Sequence, residues 1–126
     1  MKSSIIREKS FRFAVRTVNL YKYLCEDKEE FVLSKQILRS GTSVGAMVRE
    51  AEHLCFAKCK HSESKADFIH KMAIAQKEIN ETMYWLELLK ETEYISNNEY
   101  ESINADAVEV IKIITSSIKT AKSNLK

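Results

Sequence analysis

No proline occurs anywhere in this 126-residue chain, and glycine occurs only at Gly41 and Gly45. Proline and glycine are the strongest local breakers of regular structure, so their scarcity excludes a fold built on many tight turns. Long apolar runs are missing too. No window approaches 18 uninterrupted apolar residues, the length a membrane-spanning helix needs, and the start, MKSSIIREKSFRF, lacks a signal-peptide apolar core. The expected location is the cytoplasm, with no membrane partner. Cys25, Cys55 and Cys59 are an odd number of thiols outside any small disulfide scaffold, which fits a reducing compartment. A net charge of +2 is too small to imply a nucleic-acid partner by itself.

What is present is a soluble globular composition, 44% hydrophobic and 30% charged, of a length that predicts one domain over 1–126. Apolar residues recur with helical periodicity throughout, so the fold class is all-α. The first helix is predicted from about Ser4 to Cys25, with Phe13, Ala14, Thr17, Val18, Tyr21, Leu24 and Cys25 sharing a broad face. The second is predicted to start at Asp27, with Glu30 completing a capping box, and to run towards Leu54. A third opens at Ser62 or Ser64 and carries the stripe Ile69, Met72, Gln76, Ile79, Met83, Leu86. The fourth follows the capping box Ser96-Asn97-Asn98-Glu99 and carries Tyr100, Ile103, Ala107, Val110 or Ile111, Ile114, Ile118, Ala121 and Leu125 on one side. Short connections between long helices give an antiparallel up-down-up-down four-helix bundle.

Glycine costs roughly 1 kcal/mol relative to alanine inside a helix, so two of them one turn apart need a reason. They share a face, and their missing side chains let another backbone approach. Gly45→Leu is accordingly expected to damage folding or assembly. Around them lies the run Leu33-Ser-Lys-Gln36-Ile-Leu-Arg39-Ser40-Gly-Thr-Ser43-Val-Gly-Ala46, then Arg49-Glu50-Ala51. Further on come Ser64-Lys-Ala-Asp67-Phe68-Ile-His70-Lys71 and Ala75-Gln-Lys-Glu78-Ile-Asn-Glu81-Thr82. From about Phe11 to Ile95 the chain resembles a bacterial four-helix-bundle family encoded in intervening sequences of large-subunit ribosomal RNA genes. That family is related to the accessory protein of diversity-generating retroelements. The resemblance implies a homo-oligomer, with a pentamer favoured, and, for the retroelement relative, binding to nucleic acid and to a reverse transcriptase. It makes Gln36, Arg39, Ser40, Gly41, Ser43 and Gly45 a family-marking helix-packing face. Met47, where a polar residue is expected, and the extended join around His53–His61 depart from the family pattern.

Charge is unevenly spread along the chain. Before Cys25, Lys2, Arg7, Lys9, Arg12, Arg16 and Lys22 face only Glu8, whereas Glu63 to Asn97 is acidic. Lys9, Arg12 and Arg16, with Lys22 at the edge, form a basic stripe suited to tracking RNA or DNA phosphates. The plainer account is a solvated face, or cations paired with the acidic third helix of the same or another subunit. Basic first and acidic third helices also suit head-to-tail association.

Other constellations are weaker. His53, Cys55, Cys59 and His61 are zinc-type ligands, but H-x-C-x3-C-x-H is not a standard finger spacing. Glu50-x-x-His53 and Asp67-x-x-His70 match half of a di-iron carboxylate site, but helix one offers only Glu8 near its start, and helix four keeps Glu99, Glu101, Asp106 and Glu109 mostly off its apolar stripe. Ser40, Thr42 and Ser43 have no histidine near them in sequence, so no nucleophile emerges. Arg39 is placed to reach Glu78 or Glu81 as an architectural pair. The expected protein is a non-enzymatic, oligomeric adaptor without cofactor or metal. Its rivals are a protein-interaction bundle that binds no nucleic acid and, further off, a di-iron oxidoreductase.

Overall fold

The computed structural model describes residues 4–58 and 62–124, with side chains described outside 55–63. The described residues form four helices, α1 (Ile5–Glu26), α2 (Leu33–Lys58), α3 (Ser62–Glu91) and α4 (Asn97–Ser123), and no strand. Cross-helix pairs run in opposite numerical order, which makes every neighbouring pair antiparallel. Lys9 and Arg16 meet Glu109 and Asp106, Arg39 and Glu50 meet Glu78 and Lys71, and Lys65 and Gln76 meet Asn124 and Thr115. Each helix packs on its two neighbours; the α2–α3 seam is the most extensive and α1–α4 the thinnest. This is the expected all-α four-helix bundle.

The core is filled by Phe13 and Leu24 from α1, Ile37, Val44 and Val48 from α2, Met72, Ile79, Leu86 and Leu89 from α3, and Val110 and Ile114 from α4. The spacings between these positions are sums of three- and four-residue steps, the stripe a bundle helix needs. Of the stripe expected on α3, Met72, Ile79 and Leu86 are buried, while Ile69, Gln76 and Met83 are half-buried at its margins. Among the described residues the buried oxygens Glu52 Oε1 and Asn104 Oδ1 lack a hydrogen-bond partner, whereas the polar pair between α2 and α3 is satisfied. The Thr82 hydroxyl lies 2.8 Å from the Ser40 hydroxyl and also donates to the Glu78 carbonyl at 2.8 Å.

The helix starts follow side-chain chemistry, and one of them differs from expectation. Ser4 accepts from the Arg7 N–H at the start of α1. Ser96 and Glu99 form the reciprocal capping box of α4, at 3.1 Å and 2.7 Å. Asp27, however, closes α1 instead of opening α2: its backbone N–H donates to the Tyr23 carbonyl. Glu29 then adopts a left-handed conformation (φ 52°), and Glu30 turns inward. The Glu30 carboxylate accepts the N–H groups of Val32, Leu33 and Ser34, so Glu30 itself caps α2. A glutamate just ahead of a helix can reach forward over its first turn, and its charge suits the positive end of the helix.

Neither glycine serves a turn. The two described non-glycine residues at positive φ are Glu29 and Glu93 (φ 65°), both in interhelical connections. Glu93 ends α3 in a Schellman arrangement, its N–H bonded to Lys90 O and the Tyr94 N–H to Leu89 O. Left-handed backbone costs a residue with a Cβ about 1–2 kcal/mol, less the entropy glycine loses on folding. Glu93→Gly is therefore expected to stabilise the protein by roughly 0.5–1 kcal/mol, read as a higher urea midpoint at unchanged slope. A lower midpoint would show that the Glu93 side chain contributes more than its backbone costs.

Candidate nucleic-acid interface

The four cations expected to form one stripe on α1 divide between two settings. Lys9 and Arg16 lie along the α4 seam, where Lys9 Nζ is 3.0 Å from Glu109 and Arg16 Nη1 is 2.7 Å from Asp106. Arg16 also donates to the Ser102 carbonyl and hydroxyl, at 3.2 Å and 3.0 Å. Arg12 and Lys22 point outward, exposed, with no ion pair to a described residue. Lys9 and Arg16 are thus paired with α4, not with the acidic third helix. At 100° per residue, Lys9 and Arg16 fall on the α4 side of α1, while Arg12 and Lys22 lie outside the seam.

Beside those two exposed cations are apolar residues that the fold leaves uncovered. Phe11 is 55% exposed and Val15 44% exposed, although both sit in the middle of α1. Arg49 of α2 stands over the Phe11 ring at 5.7 Å, a cation–π distance. Arg7, Phe11, Ala14, Gly45, Ala46 and Arg49 border a shallow groove between α1 and α2. Sequence reasoning missed Phe11, Arg7 and Arg49 as parts of this surface. Phe11's position off the apolar face of α1 was the available signal.

The glycine face of α2 lies against α1. A Cβ on Gly41 would stand 2.5 Å from Thr17 Cγ2 and 2.6 Å from Thr17 Oγ1. On Gly45 the nearest atom would be the Ser10 carbonyl oxygen at 3.3 Å. Ser40, on the far side of the same turn, is buried against Thr82. Ser43 donates to the Arg39 carbonyl at 2.7 Å, and Gln36 is exposed. The helix-packing face therefore uses two seams, glycines towards α1 and Ser40 with Arg39 towards α3.

Arg39 bridges both of its expected partners, with Nη1 3.0 Å from Glu78 and Nη2 bonded to Glu81. The Trp85 indole N–H donates to the same Glu81 oxygen at 3.0 Å. That indole bond and then Arg39 lower the Glu81 carboxyl below its ordinary range, against the opposing effect of partial burial. The Glu81 hydrogen bond, in turn, raises the Arg39 guanidinium above its ordinary value. This cluster pins α2 to α3 at the bundle surface.

The alternative chemistries find little geometry. Glu50, His53, Asp67 and His70 are all exposed, and Glu50 pairs with Lys71 at 2.9 Å. They occupy outer faces, not the bundle interior where a di-iron centre sits. The side chain of Cys55, and Cys59 and His61 altogether, lie outside the described residues. No group of three or more metal-type ligands occurs among the described residues. No described helix is long and apolar enough to cross a membrane.

Comparison with known proteins adds the family. The sequence profile of the 23S rRNA-intervening sequence protein family matches residues 2–116. A solved crystal structure, described as a protein of unknown function from the S23 ribosomal protein family of Bacteroides thetaiotaomicron, is 57% identical. The match covers 91% of this chain and 96% of that one, with a TM-score of 0.83. No curated protein matches. With its profile match spanning most of the bundle, the chain belongs to the 23S rRNA-intervening sequence protein family.

Proposed function

We propose that the protein is a non-enzymatic, oligomeric adaptor of the cytoplasm, a single bundle domain that holds RNA or DNA against the outer face of α1. One observation carries this reading: exposed Phe11 and Val15 stand beside exposed Arg12 and Lys22, which have no ion pair to a described residue, on a face that the other described helices leave uncovered. Cations there attract phosphates, and the aromatic ring gives a base or a protein side chain something to rest on. Lys9 and Arg16 hold α1 in register on α4 and reach phosphate only at the cost of their ion pairs. Assembly into a ring, with five subunits favoured by the family resemblance, would multiply this face and its field. The likeness to retroelement accessory proteins extends the reading to an RNA-associated partner such as a reverse transcriptase.

The test is salt-dependent binding of structured RNA and duplex DNA. Arg12→Gln with Lys22→Gln should lower affinity and reduce the salt slope by about two, at about 0.9 per lost phosphate contact. Lys9→Gln with Arg16→Gln should chiefly lower stability. Identical binding by the Arg12/Lys22 variant would remove this face from contention, and a monomer at micromolar concentration would end the ring. A protein-only adaptor is the second reading, favoured by Phe31 (54% exposed) and Val32 (73% exposed) at the α1–α2 turn. Its sign is a specific protein partner with no bound nucleic acid.

A further inference from the structure

After Glu109 the chain contains no acidic residue, but it has Lys112, Lys119, Lys122 and Lys126. Three of these lie in the described part of α4, and at 100° per residue they fall within an arc of about 80°. All three are exposed, and none has an ion-pair partner among the described residues. Lys112 also borders a groove of about 790 Å³ between the last turns of α4 and the first turns of α3. Lys65 stands on the α3 wall, Phe68 and Ile113 supply apolar surface, and Ser116, Ser117 and Thr120 offer hydroxyls. Among the described residues that line the groove there is no carboxylate.

Helix register explains the opening. The Lys9–Glu109 pair fixes α1 against α4. From Glu109, α4 continues to Ser123, about 21 Å at 1.5 Å per residue, while α1 extends back from Lys9 only to Ile5, about 6 Å. The side of α4 that α1 covers elsewhere is therefore uncovered by α1 here. The α4 carbonyl end repels anions, but Lys65 Nζ donates to the Asn124 carbonyl at 3.2 Å and the amino end of α3 lies alongside.

We propose that this lysine strip and groove form a second nucleic-acid contact, one that takes a single strand. Its phosphates lie along Lys112, Lys119 and Lys122, and one nucleotide enters the groove against Phe68 and Ile113. A site of this volume accommodates a nucleotide and not a duplex. An apolar wall flanked by cations and hydroxyls suits a base whose backbone stays outside. The proposal rests on the nucleic-acid reading above but uses a different helix, so the two can fail separately.

The test uses the full chain, a fluorescent single strand of about ten nucleotides and a matched duplex. Lys112→Gln/Lys119→Gln/Lys122→Gln is expected to weaken single-strand binding at least tenfold at about 50 mM salt. Its salt slope should fall by about two, at about 0.7 per contact. Ser117→Trp, which fills the groove, should weaken the single strand and spare the duplex. The three lysines are exposed, so an unchanged melting curve checks that folding is intact. Parent protein that binds neither probe would end the broader reading and this inference with it. Parent binding that survives the lysine changes but falls in the Arg12/Lys22 variant would overturn this inference alone. Equal loss for duplex and single strand after Ser117→Trp, or displacement by polyglutamate at matched charge, would also overturn it.

Discussion

Gly41→Ala is expected to destabilise the protein by about 1–2 kcal/mol, although alanine is the better helix former. Two opposing terms set that figure. Helix propensity gains roughly 1 kcal/mol when alanine replaces glycine in a helix interior. Overpacking a closed contact costs about 1–3 kcal/mol, and more when the neighbour cannot move. Here the neighbour is Thr17, fully buried and β-branched, with its hydroxyl bonded to the Phe13 carbonyl at 2.8 Å. A methyl on Gly41 would stand 2.5 Å from one branch of Thr17 and 2.6 Å from the other, so rotating the side chain relieves nothing. Relief must come from moving α1 away from α2, which loosens the seam along its length. Gly41→Leu should cost more, about 3 kcal/mol or above, and should lower the soluble yield.

Two controls identify the mechanism. Thr17→Ala removes both nearest atoms, so Gly41→Ala should be milder in that background, a coupling visible in a double-mutant cycle. Gly45→Ala should lie within about 0.5 kcal/mol of the parent, since its methyl would meet the Ser10 carbonyl at 3.3 Å and helix propensity offsets the crowding. Equal costs for Gly41→Ala and Gly45→Ala in urea titrations would show that Thr17 is not the limiting contact. The expected damage from Gly45→Leu is smaller than from Gly41→Leu, because Gly45 borders the open groove beside Phe11 and Arg49.

Helical periodicity exposed the bundle in the sequence because core positions repeat every three or four residues and no proline interrupts them. The glycine pair pointed to a close helix contact, but the partner, α1, depends on tertiary packing that no local pattern records. Arg39 with Glu78 and Glu81 was readable because the family motif places them on facing helices. The cation stripe was only half readable. A helical wheel groups Lys9, Arg12 and Arg16, but it does not show where the next helix lies, so it cannot separate seam cations from outward ones. The lysines of α4 were overlooked for a similar reason, since alternation with Ile111, Ile113 and Ile114 makes them look like the ordinary polar side of an amphipathic helix. Their significance depends on α1 starting too late to cover that end.

Glu30→Ala should cost about 2–4 kcal/mol, whereas Asp27→Ala should lie within about 0.5 kcal/mol of the parent. Sequence pattern gave the opposite weight to these residues, making Asp27 the cap and Glu30 its helper. A buried carboxylate that accepts three backbone N–H groups is a different object. Its bonds to Val32, Leu33 and Ser34 measure 3.1, 2.6 and 2.9 Å. Charge-assisted bonds of this kind are about twice as strong as neutral ones, and the helix dipole adds to them. Not all three N–H groups suffer equally on truncation. Val32 is exposed, so water can replace the carboxylate there, but Ser34 is fully buried and its N–H would be stranded. One stranded buried donor costs about 1–3 kcal/mol, and the lost cap about 0.5–2 kcal/mol more. Glu30→Gln keeps one acceptor oxygen and should fall between alanine and the parent. Urea midpoints at constant slope would give the ranking. Equal losses for Asp27→Ala and Glu30→Ala would restore Asp27 as the cap of α2 and refute Glu30 in that role.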